Sequence, residues 1–212
     1  MGVSFAEGRS RARSHRGIVP AEGALGLFLS RWVKAPHRIG AVAPSSRQLA
    51  RAMARQIDLA GDGPIIELGG GTGSITRALL AIGVSRDRLI VVERDPTLAA
   101  LLRMRFPGVK IMRGDAAELV QLLRPLGISL AASVVSSLPL LSMPMRLRGR
   151  IVEESFTFLC GVGTFVQFTY CVVSPLGPEL GLLGEVAARV WWNFPPAAVW
   201  RFRLPPPVAR VA

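Results

Sequence analysis

The chain has 212 residues, with 26 Lys or Arg against 14 Asp or Glu, and therefore carries a net charge of +12. This length fits one domain with a full core and leaves no room for a second large domain. The basic excess indicates a polyanionic partner (RNA, DNA or an anionic membrane), and the two isolated histidines provide no metal-ligand spacing.

The first 57 residues are predicted to lie outside the main α/β core. Residues 1–20 hold four arginines among Gly and Ser and are predicted to form a disordered basic arm. Residues 21–34 are predicted to form an amphipathic helix, either a lid packed on the core or an interfacial membrane helix with Trp32 at the lipid headgroups. A second helix is predicted from Pro44 to about Ile57, where a serine can cap its start.

The most informative segment runs from Pro64 to Gly73, where an apolar stretch meets an acid and a run of glycines precedes a helical pattern. A buried parallel strand ends this way when it turns tightly into a helix whose first N–H groups face a ligand. A second apolar strand, at 89–92, ends at Glu93. This order of strand, glycine turn, helix, strand and acid is typical of the nucleotide-binding half of a doubly wound sheet.

The spacing of the glycines distinguishes two cofactor classes. NAD enzymes use Gly-x-Gly-x-x-Gly, whereas Gly69, Gly71 and Gly73 follow Gly-x-Gly-x-Gly, with Glu67 two residues before the first. This arrangement resembles the first motif of class I S-adenosylmethionine-dependent methyltransferases, and a carboxylate beside the turn suits an aminoacyl sulfonium better than a pyrophosphate. The resemblance implies S-adenosyl-L-methionine as cofactor and S-adenosyl-L-homocysteine as product, with Thr72 also in the cofactor site. A glycine turn without a ligand and an NAD site are the alternatives.

Acids at the ends of the next two strands complete the predicted cofactor site. Glu93 can accept both ribose hydroxyls. A third strand starts at Val109 and ends near Asp115, which either accepts the adenine amino N–H or caps a helix predicted at 116–123. The remaining cofactor candidates at these strand ends are Arg94, Ala116 and Ser136.

The second half of the chain is predicted to complete the sheet. Strands are predicted at 130–135 and 162–170, with a helix at 145–158 between them. Two further strand-like runs, 185–194 and 198–204, are close enough in sequence to pair only as an antiparallel hairpin.

The predicted fold class is α/β, with a doubly wound, Rossmann-like class I methyltransferase sheet, mostly parallel, plus a C-terminal antiparallel hairpin and N-terminal amphipathic helices. The predicted domains are the arm at 1–20, a membrane and substrate lid of helices at 21–57, and the S-adenosylmethionine-binding core at 58–212.

Three segments resemble bacterial phospholipid N-methyltransferases, namely residues 28–46, the strand at 166–170 and the hairpin at 192–197. The resemblance covers residues 25–204. It implies N-methylation of phosphatidylethanolamine, through its mono- and dimethyl forms, towards phosphatidylcholine on the inner face of the bacterial cytoplasmic membrane. The partners that it implies are a phospholipid substrate and an anionic membrane surface, for a peripheral, cytoplasmic monomer without bound metal, nucleic acid or an obligate protein partner.

The chemistry of methyl transfer to a lipid amine suggests candidates at the substrate side of the site. Tyr170, the only tyrosine, is predicted to orient the amine or accept its proton through water, and its alternative role is a wet hydroxyl that caps the core. Ser136 and Leu138 are catalytic candidates because backbone carbonyls of their loop can accept N–H bonds from the amine; a plain loop is the alternative. The substrate and membrane candidates are Arg31, Trp32, Lys34, Arg38, Ser45, Ser46 and Asn193.

The main alternative function is that of an rRNA adenine N6-dimethyltransferase, a class that shares the cofactor fold and the basic charge. The motif of that class after the fourth strand is Asn-Leu/Ile-Pro-aromatic, which holds a flipped adenine. Residues 137–140 read Ser-Leu-Pro-Leu and lack both the amide and the aromatic ring. A third interpretation, a cofactor-free membrane adaptor, is disfavoured by the three acids Glu67, Glu93 and Asp115.

Overall fold

The computed structural model describes residues 45–159, 163–171, 173–193 and 195–206. The predicted arm, the helix at 21–34 and the candidates Arg31, Trp32, Lys34 and Arg38 lie outside the described residues. The described part of the chain contains no helix that is long and apolar enough to cross a membrane.

Seven strands form a single sheet in the order β3-β2-β1-β4-β5-β7-β6. They are β1 (Ile65–Leu68), β2 (Leu89–Glu93), β3 (Lys110–Arg113), β4 (Ser133–Ser136), β5 (Thr164–Thr169), β6 (Leu183–Val190) and β7 (Ala197–Arg203). The first five strands are parallel, whereas β7 pairs antiparallel with both β5 and β6. The predicted fold class, a mostly parallel sheet that ends in an antiparallel hairpin, is therefore confirmed.

Helices cover both faces of the sheet. They are α1 (Ser45–Ala54), α2 (Ser74–Ala81), α3 (Pro96–Arg105), α4 (Leu119–Leu123) and α5 (Met145–Leu159). The first three share one core cluster with one face of the sheet, and the last two share a second cluster with the other face. The central strands β1, β2 and β4 are buried along their whole length because both of their faces are covered.

The second N-terminal helix was predicted to run to Ile57, but α1 ends at Ala54 and packs into the core. Met53 is fully buried in the same cluster as residues of α2, and α1 also contacts β5, β6 and β7. The domain boundary predicted at residue 58 stays a prediction, although α1 contributes side chains to the core that follows it.

Other predicted boundaries were shifted. The fourth strand was predicted at 130–135 and lies at Ser133–Ser136, and the helix predicted at 116–123 starts as a 3-10 turn, Ala116–Glu118, before α4. The prediction of strand to residue 194 was wrong, because β6 ends at Val190. There the N–H of Asn193 closes a turn on the carbonyl of Val190, at 3.4 Å, and Pro195 has no N–H to extend the ladder.

Candidate active site

The predicted site residues gather at one edge of the sheet, here called the carboxyl edge, where β1 to β5 end. The chain path reverses between β1 and β4, and ligands of open α/β sheets bind at such a switch point. Since β7 runs antiparallel to β5, the β6–β7 turn also lies at this edge. The edge therefore brings together Glu67, Glu93, Asp115, Ser136, Tyr170 and Asn193.

The glycine turn after β1 is required mainly by close neighbours in the protein. Gly69 and Gly73 have φ of 77° and 84°, and a Cβ on Gly69 would lie 2.8 Å from Cδ2 of Leu138. A Cβ on Gly73 would overlap the ring of Phe106. Gly70, which sequence reasoning passed over as a variable position, leaves room for side chains of β2 and α3. These three glycines let other parts of the fold approach the turn closely.

Gly71 differs from its neighbours because its Cα faces open space. Its φ is 53°, and the nearest atom to an added Cβ would be the carbonyl oxygen of Gly69, at 3.9 Å. Its N–H donates a 2.8 Å hydrogen bond to Oε2 of Glu93. The open side of the turn is therefore at Gly71, directly beside the acid at the end of β2.

Glu67 is a fully buried acid on β1 with one oxygen bonded and one left over. Its Oε2 accepts a 2.7 Å hydrogen bond from the hydroxyl of Thr76, whereas its Oε1 has no hydrogen-bond partner. Burial raises the pKa of Glu67 to about 8, the hydrogen bonds from Thr76 lower it, and the nearby charge of Glu93 raises it slightly. An unpartnered buried acceptor is costly, and it is the kind of group that a cationic ligand satisfies.

Glu93 is almost buried, and its two oxygens hold the backbone at the strand ends. Besides the Gly71 N–H, it accepts a 2.8 Å hydrogen bond from the N–H of Asp95 through Oε1. A carboxylate has about four lone-pair positions, so both oxygens can still accept hydroxyl groups from a ligand.

Asp115 has the helix-capping role that was one of the two considered from sequence. Its Oδ1 accepts a 2.9 Å hydrogen bond from the N–H of Ala117 and so caps the following 3-10 turn. Its Oδ2 lies 3.7 Å from Nη1 of Arg94, an exposed pair that contributes little stability. Ala116 is buried beside it. The adenine contact predicted for Asp115 stays a prediction.

The loop after β4 is tied to the glycine turn by Ser137, a residue that sequence reasoning did not single out. The N–H of Ser137 donates to the carbonyl of Leu68 at 3.0 Å, and its hydroxyl donates to the carbonyl of Gly69. Ser136 lies beneath, fully buried, and its hydroxyl accepts from the N–H of Leu138 at 3.3 Å. The roles predicted for Ser136 stay predictions.

The carbonyl of Leu138 is already engaged within the protein. It accepts hydrogen bonds from the N–H of Leu140, at 2.8 Å, and from Nε2 of Gln167, at 3.0 Å. Gln167 is buried on β5, and it too was missed from sequence because a single amide within an apolar run carries no motif. The loop is thus held in place by the strand on one side and by the glycine turn on the other.

Tyr170 follows β5 and is half-buried. Its ring packs edge-on against Phe168, with centroids 5.3 Å apart. Burial raises the pKa of the Tyr170 hydroxyl, and a hydrogen bond with the side chain of Asn193 opposes this rise. Asn193 is itself buried and donates through Nδ2 to the carbonyl of Pro195, at 2.7 Å. The tyrosine therefore remains a neutral phenol at physiological pH.

Tyr170 also borders a mainly apolar pocket between the loops that follow β4 and β5. Its lining residues are Ser137, Leu138, Pro139, Leu140, Leu141, Ser142, Phe168, Thr169, Tyr170 and Pro175. A second shallow depression lies between Leu183 and Arg203 on the hairpin, at the opposite edge of the sheet. Only the first adjoins the glycine turn, through Ser137 and Leu138. Ser45 and Ser46 begin α1, and their predicted role stays untested.

No family model matches the chain. A curated relative, ornithine lipid N-methyltransferase from Singulisphaera acidiphila, is 40% identical over 147 residues, which cover 68% of this chain and 76% of the relative. Ribosomal RNA small subunit methyltransferase A from Myxococcus xanthus is 29% identical over 164 residues, which cover 74% of this chain and 55% of that protein. The chain thus matches about three quarters of the first relative and about half of the second.

Solved structures support the fold alone, because their sequence identities are low. Magnesium protoporphyrin IX methyltransferase from Synechocystis PCC 6803, with bound S-adenosylmethionine, has a TM-score of 0.58 at 10% identity and covers 90% of this chain and 100% of its own. A TehB-like S-adenosylmethionine-dependent methyltransferase from Corynebacterium glutamicum has a TM-score of 0.53 at 16% identity, with coverages of 86% and 100%.

Proposed function

The chain belongs to the S-adenosylmethionine-dependent lipid N-methyltransferases of the class I superfamily, and we propose that its substrate is phosphatidylethanolamine, methylated towards phosphatidylcholine at a membrane surface. The observation that carries the lipid class is the 40% identity with ornithine lipid N-methyltransferase over most of that relative. The choice of headgroup is supported by the resemblance of residues 28–46 to phospholipid N-methyltransferases and by the net charge of +12, which favours an anionic surface.

The residues at the glycine turn fit the cofactor, which supplies an activated methyl group on a sulfonium sulfur. The open space beside Gly71 leaves room for the cofactor, and Glu93 next to it can accept hydrogen bonds from the ribose hydroxyls. The unpartnered Oε1 of Glu67 suits the ammonium group of the aminoacyl end through a bridging water, and the positive charge of that group would favour the ionised form of the acid. We therefore assign the cofactor to the half of the carboxyl edge formed by β1, β2 and β3.

The chemistry requires an amine with a free electron pair. A primary ammonium has a pKa of about 10, by analogy with lysine, so one proton must leave before the nitrogen attacks. The new nitrogen–carbon bond then forms as the sulfur–carbon bond breaks, and the methylated ammonium loses a proton before the next transfer. The main task of the protein is to position the two partners and exclude water.

Tyr170 is the group that we assign to positioning the amine. As a neutral phenol beside the apolar pocket it can accept an N–H bond from the ammonium or donate to the free amine, with Asn193 setting its orientation. Because the pKa of the Tyr170 hydroxyl is raised, its phenolate form is not available as a base. We therefore assign removal of the proton from the amine to water.

Ornithine lipid is the second candidate substrate, because the relative with 40% identity is named for it. Both headgroups present a primary amine at the end of a short chain, and the pocket beside Tyr170 requires no more than that. They differ in the anionic group, which is a phosphate in phosphatidylethanolamine and a carboxylate in ornithine lipid, and exposed arginines such as Arg146 are available for the phosphate.

The RNA alternative has support from several ribosomal RNA methyltransferase relatives, such as the Myxococcus xanthus protein. The local geometry favours lipid over RNA. Leu140 occupies the position of the stacking aromatic residue and is buried, and Ser137 occupies the position of the asparagine but bonds to the glycine turn. Neither side chain is placed to hold an extruded base.

The test is a direct comparison of the three substrates. The full-length protein is incubated with labelled S-adenosylmethionine and vesicles that contain phosphatidylethanolamine, vesicles that contain ornithine lipid, or small-subunit ribosomal RNA. We expect label in monomethyl, dimethyl and trimethyl forms of phosphatidylethanolamine after thin-layer separation, and none with Glu93→Ala. Label only in ornithine lipid would overturn the headgroup assignment, and label only in RNA would overturn the lipid class.

A further inference from the structure

The β6–β7 turn at the carboxyl edge exposes two adjacent tryptophans. Trp191 and Trp192 are 70% and 86% exposed, and they are the only aromatic side chains among the large exposed apolar residues of the described part of the chain. Tryptophan is a large apolar side chain with one polar N–H group, and exposure of most of its surface to water is unfavourable for it. The turn of residues 191–193, here called the tryptophan turn, therefore requires an explanation.

The tryptophan turn is fixed to the active site. Val190 pairs with Ala197 and Thr169 pairs with Ala198, so the turn lies beside the end of β5. Asn193 is the residue after Trp192, and its buried side chain lies close enough to the Tyr170 hydroxyl to lower the pKa of that group. A surface that bound the tryptophan turn would consequently face the pocket beside Tyr170.

Other exposed apolar side chains lie along the same edge. Leu141 follows β4, Met145 begins α5 and Val173 follows β5. Arg189, before the turn, and Arg146, after Met145, are exposed cations at this edge. Interfacial membrane contacts have this composition, with tryptophan at the headgroup level, aliphatic side chains beside it and arginines that contact anionic lipids.

The amino edge of the sheet offers a comparison within the same molecule. Large apolar side chains are exposed there too, such as Leu183 at the start of β6 and Met104 near the end of α3. Those side chains are aliphatic in the described residues, so exposure alone does not distinguish the edges, whereas the paired tryptophans do.

We infer that the tryptophan turn inserts into the headgroup region of an anionic bilayer and thereby holds the pocket beside Tyr170 against the lipid surface. The inference rests on the proposed function, because the orientation of the pocket towards the bilayer matters only if the substrate is a lipid that enters the pocket from the bilayer. The binding step itself requires no substrate and can be measured without one.

The first experiment measures binding on vesicles of phosphatidylglycerol and phosphatidylcholine, which offer no primary amine. The full-length protein is compared with the double variant Trp191→Ala, Trp192→Ala and with the control Met104→Ala, an equally exposed side chain (75%) at the opposite edge. We expect the double variant to lose at least about 10-fold in vesicle affinity, with the control unchanged. The loss should persist at about 0.5 M salt, because apolar insertion is not screened.

The second experiment measures turnover on two forms of the same lipid. The double variant should lose activity on vesicles that contain phosphatidylethanolamine, while activity on a short-chain phosphatidylethanolamine dissolved as monomers and affinity for S-adenosylhomocysteine stay at the wild-type level. Failure of the wild-type protein to methylate any lipid, with the vesicle-binding difference intact, would overturn the proposed function and leave the tryptophan turn as a membrane contact.

Three results would overturn the inference itself. The first is unchanged vesicle affinity of the double variant. The second is an equal loss of activity on dissolved and vesicle lipid, which would assign the tryptophans to the folding of the site. The third is a wild-type dimer that becomes monomeric in the double variant by sedimentation velocity without loss of vesicle binding, which would assign the turn to self-association.

Discussion

The two halves of the carboxyl edge are built from different chemistry. The half after β1, β2 and β3 carries three acidic side chains, Glu67, Glu93 and Asp115, each bonded to a neighbouring hydroxyl or backbone N–H. The half formed by β4, β5 and the β6–β7 turn has no Asp or Glu in residues 136–152, 164–178 or 186–212. It offers two buried amides, Gln167 and Asn193, one phenol and an apolar surface with two tryptophans.

This difference fits the proposed division of the edge into a cofactor site and a substrate site. The cofactor is polar and charged, and the half of the edge that we assign to it supplies fixed acceptors. The substrate is a lipid whose reacting nitrogen must lose its charge, so a carboxylate close to it would stabilise the unreactive ammonium. An apolar half-site without acids favours the free amine and leaves positioning to neutral groups such as Tyr170.

The largest effect is expected from Glu93→Ala in the cofactor half. Loss of two hydrogen bonds from ribose hydroxyls to a charged acceptor should weaken binding of S-adenosylhomocysteine by about 100-fold or more, measured by titration calorimetry. Asp87→Ala, an exposed acid before β2, changes the net charge equally and should leave affinity unchanged. Equal affinities of the wild-type protein and Glu93→Ala would remove Glu93 from the ribose site.

An intermediate effect is expected from Glu67→Gln, and it should depend on pH. Burial raises the pKa of Glu67 from 4.5 to about 8. At pH values between 4.5 and about 8, Glu67 is therefore protonated in the folded protein and ionised in the unfolded chain. The contribution of Glu67 to stability is thus fully present below pH 4.5 and falls as pH rises through about 8. Glutamine cannot ionise, so the variant should gain stability relative to the wild-type protein between pH 6 and pH 9.

The measurement for Glu67→Gln is the midpoint of urea unfolding of the cofactor-free protein at both pH values. The gain should be on the order of a few kcal/mol, given the size of the pKa shift and complete burial. A difference between variant and wild type that is the same at pH 6 and pH 9 would show that Glu67 does not titrate in this range.

The smallest effect is expected from Tyr170→Phe in the substrate half. One neutral hydrogen bond contributes about 1 kcal/mol, so kcat should fall about fivefold with cofactor affinity unchanged. The pH dependence of kcat should keep its shape, because the phenol stays neutral over the accessible range. A change in that shape would instead assign proton transfer to Tyr170, and wild-type turnover would leave the tyrosine with a packing role.

The cofactor half was largely predictable because its determinants are close together in sequence. The glycine turn, Glu67 and Thr72 lie within seven consecutive residues, and Glu93 follows one helix later. The motif did not reveal the different roles of its glycines. Gly69 and Gly73 leave room for the side chains of Leu138 and Phe106, whereas Gly71 alone faces open space. A motif identifies a glycine but does not tell which neighbour it makes room for.

The substrate half was less predictable because its contacts join distant segments. Ser137 bonds to Gly69 across 68 residues, and Gln167 supports Leu138 across 29. Trp191 and Trp192 were predicted to lie in a strand, whereas they project from a turn. Their exposure follows from the end of β6 at Val190, which no periodicity in the sequence indicates.

The residue pattern alone was sufficient to predict the fold class, the cofactor and the strands that end at an acid. Each of these depends on local periodicity and on the turn chemistry of one β–α–β unit. Tertiary packing decided which oxygen of Glu67 is left without a partner, which glycine faces open space and which aromatic residues face solvent. These properties depend on distances between segments that are remote in the chain, and such distances are set only when the sheet and its helices have packed together.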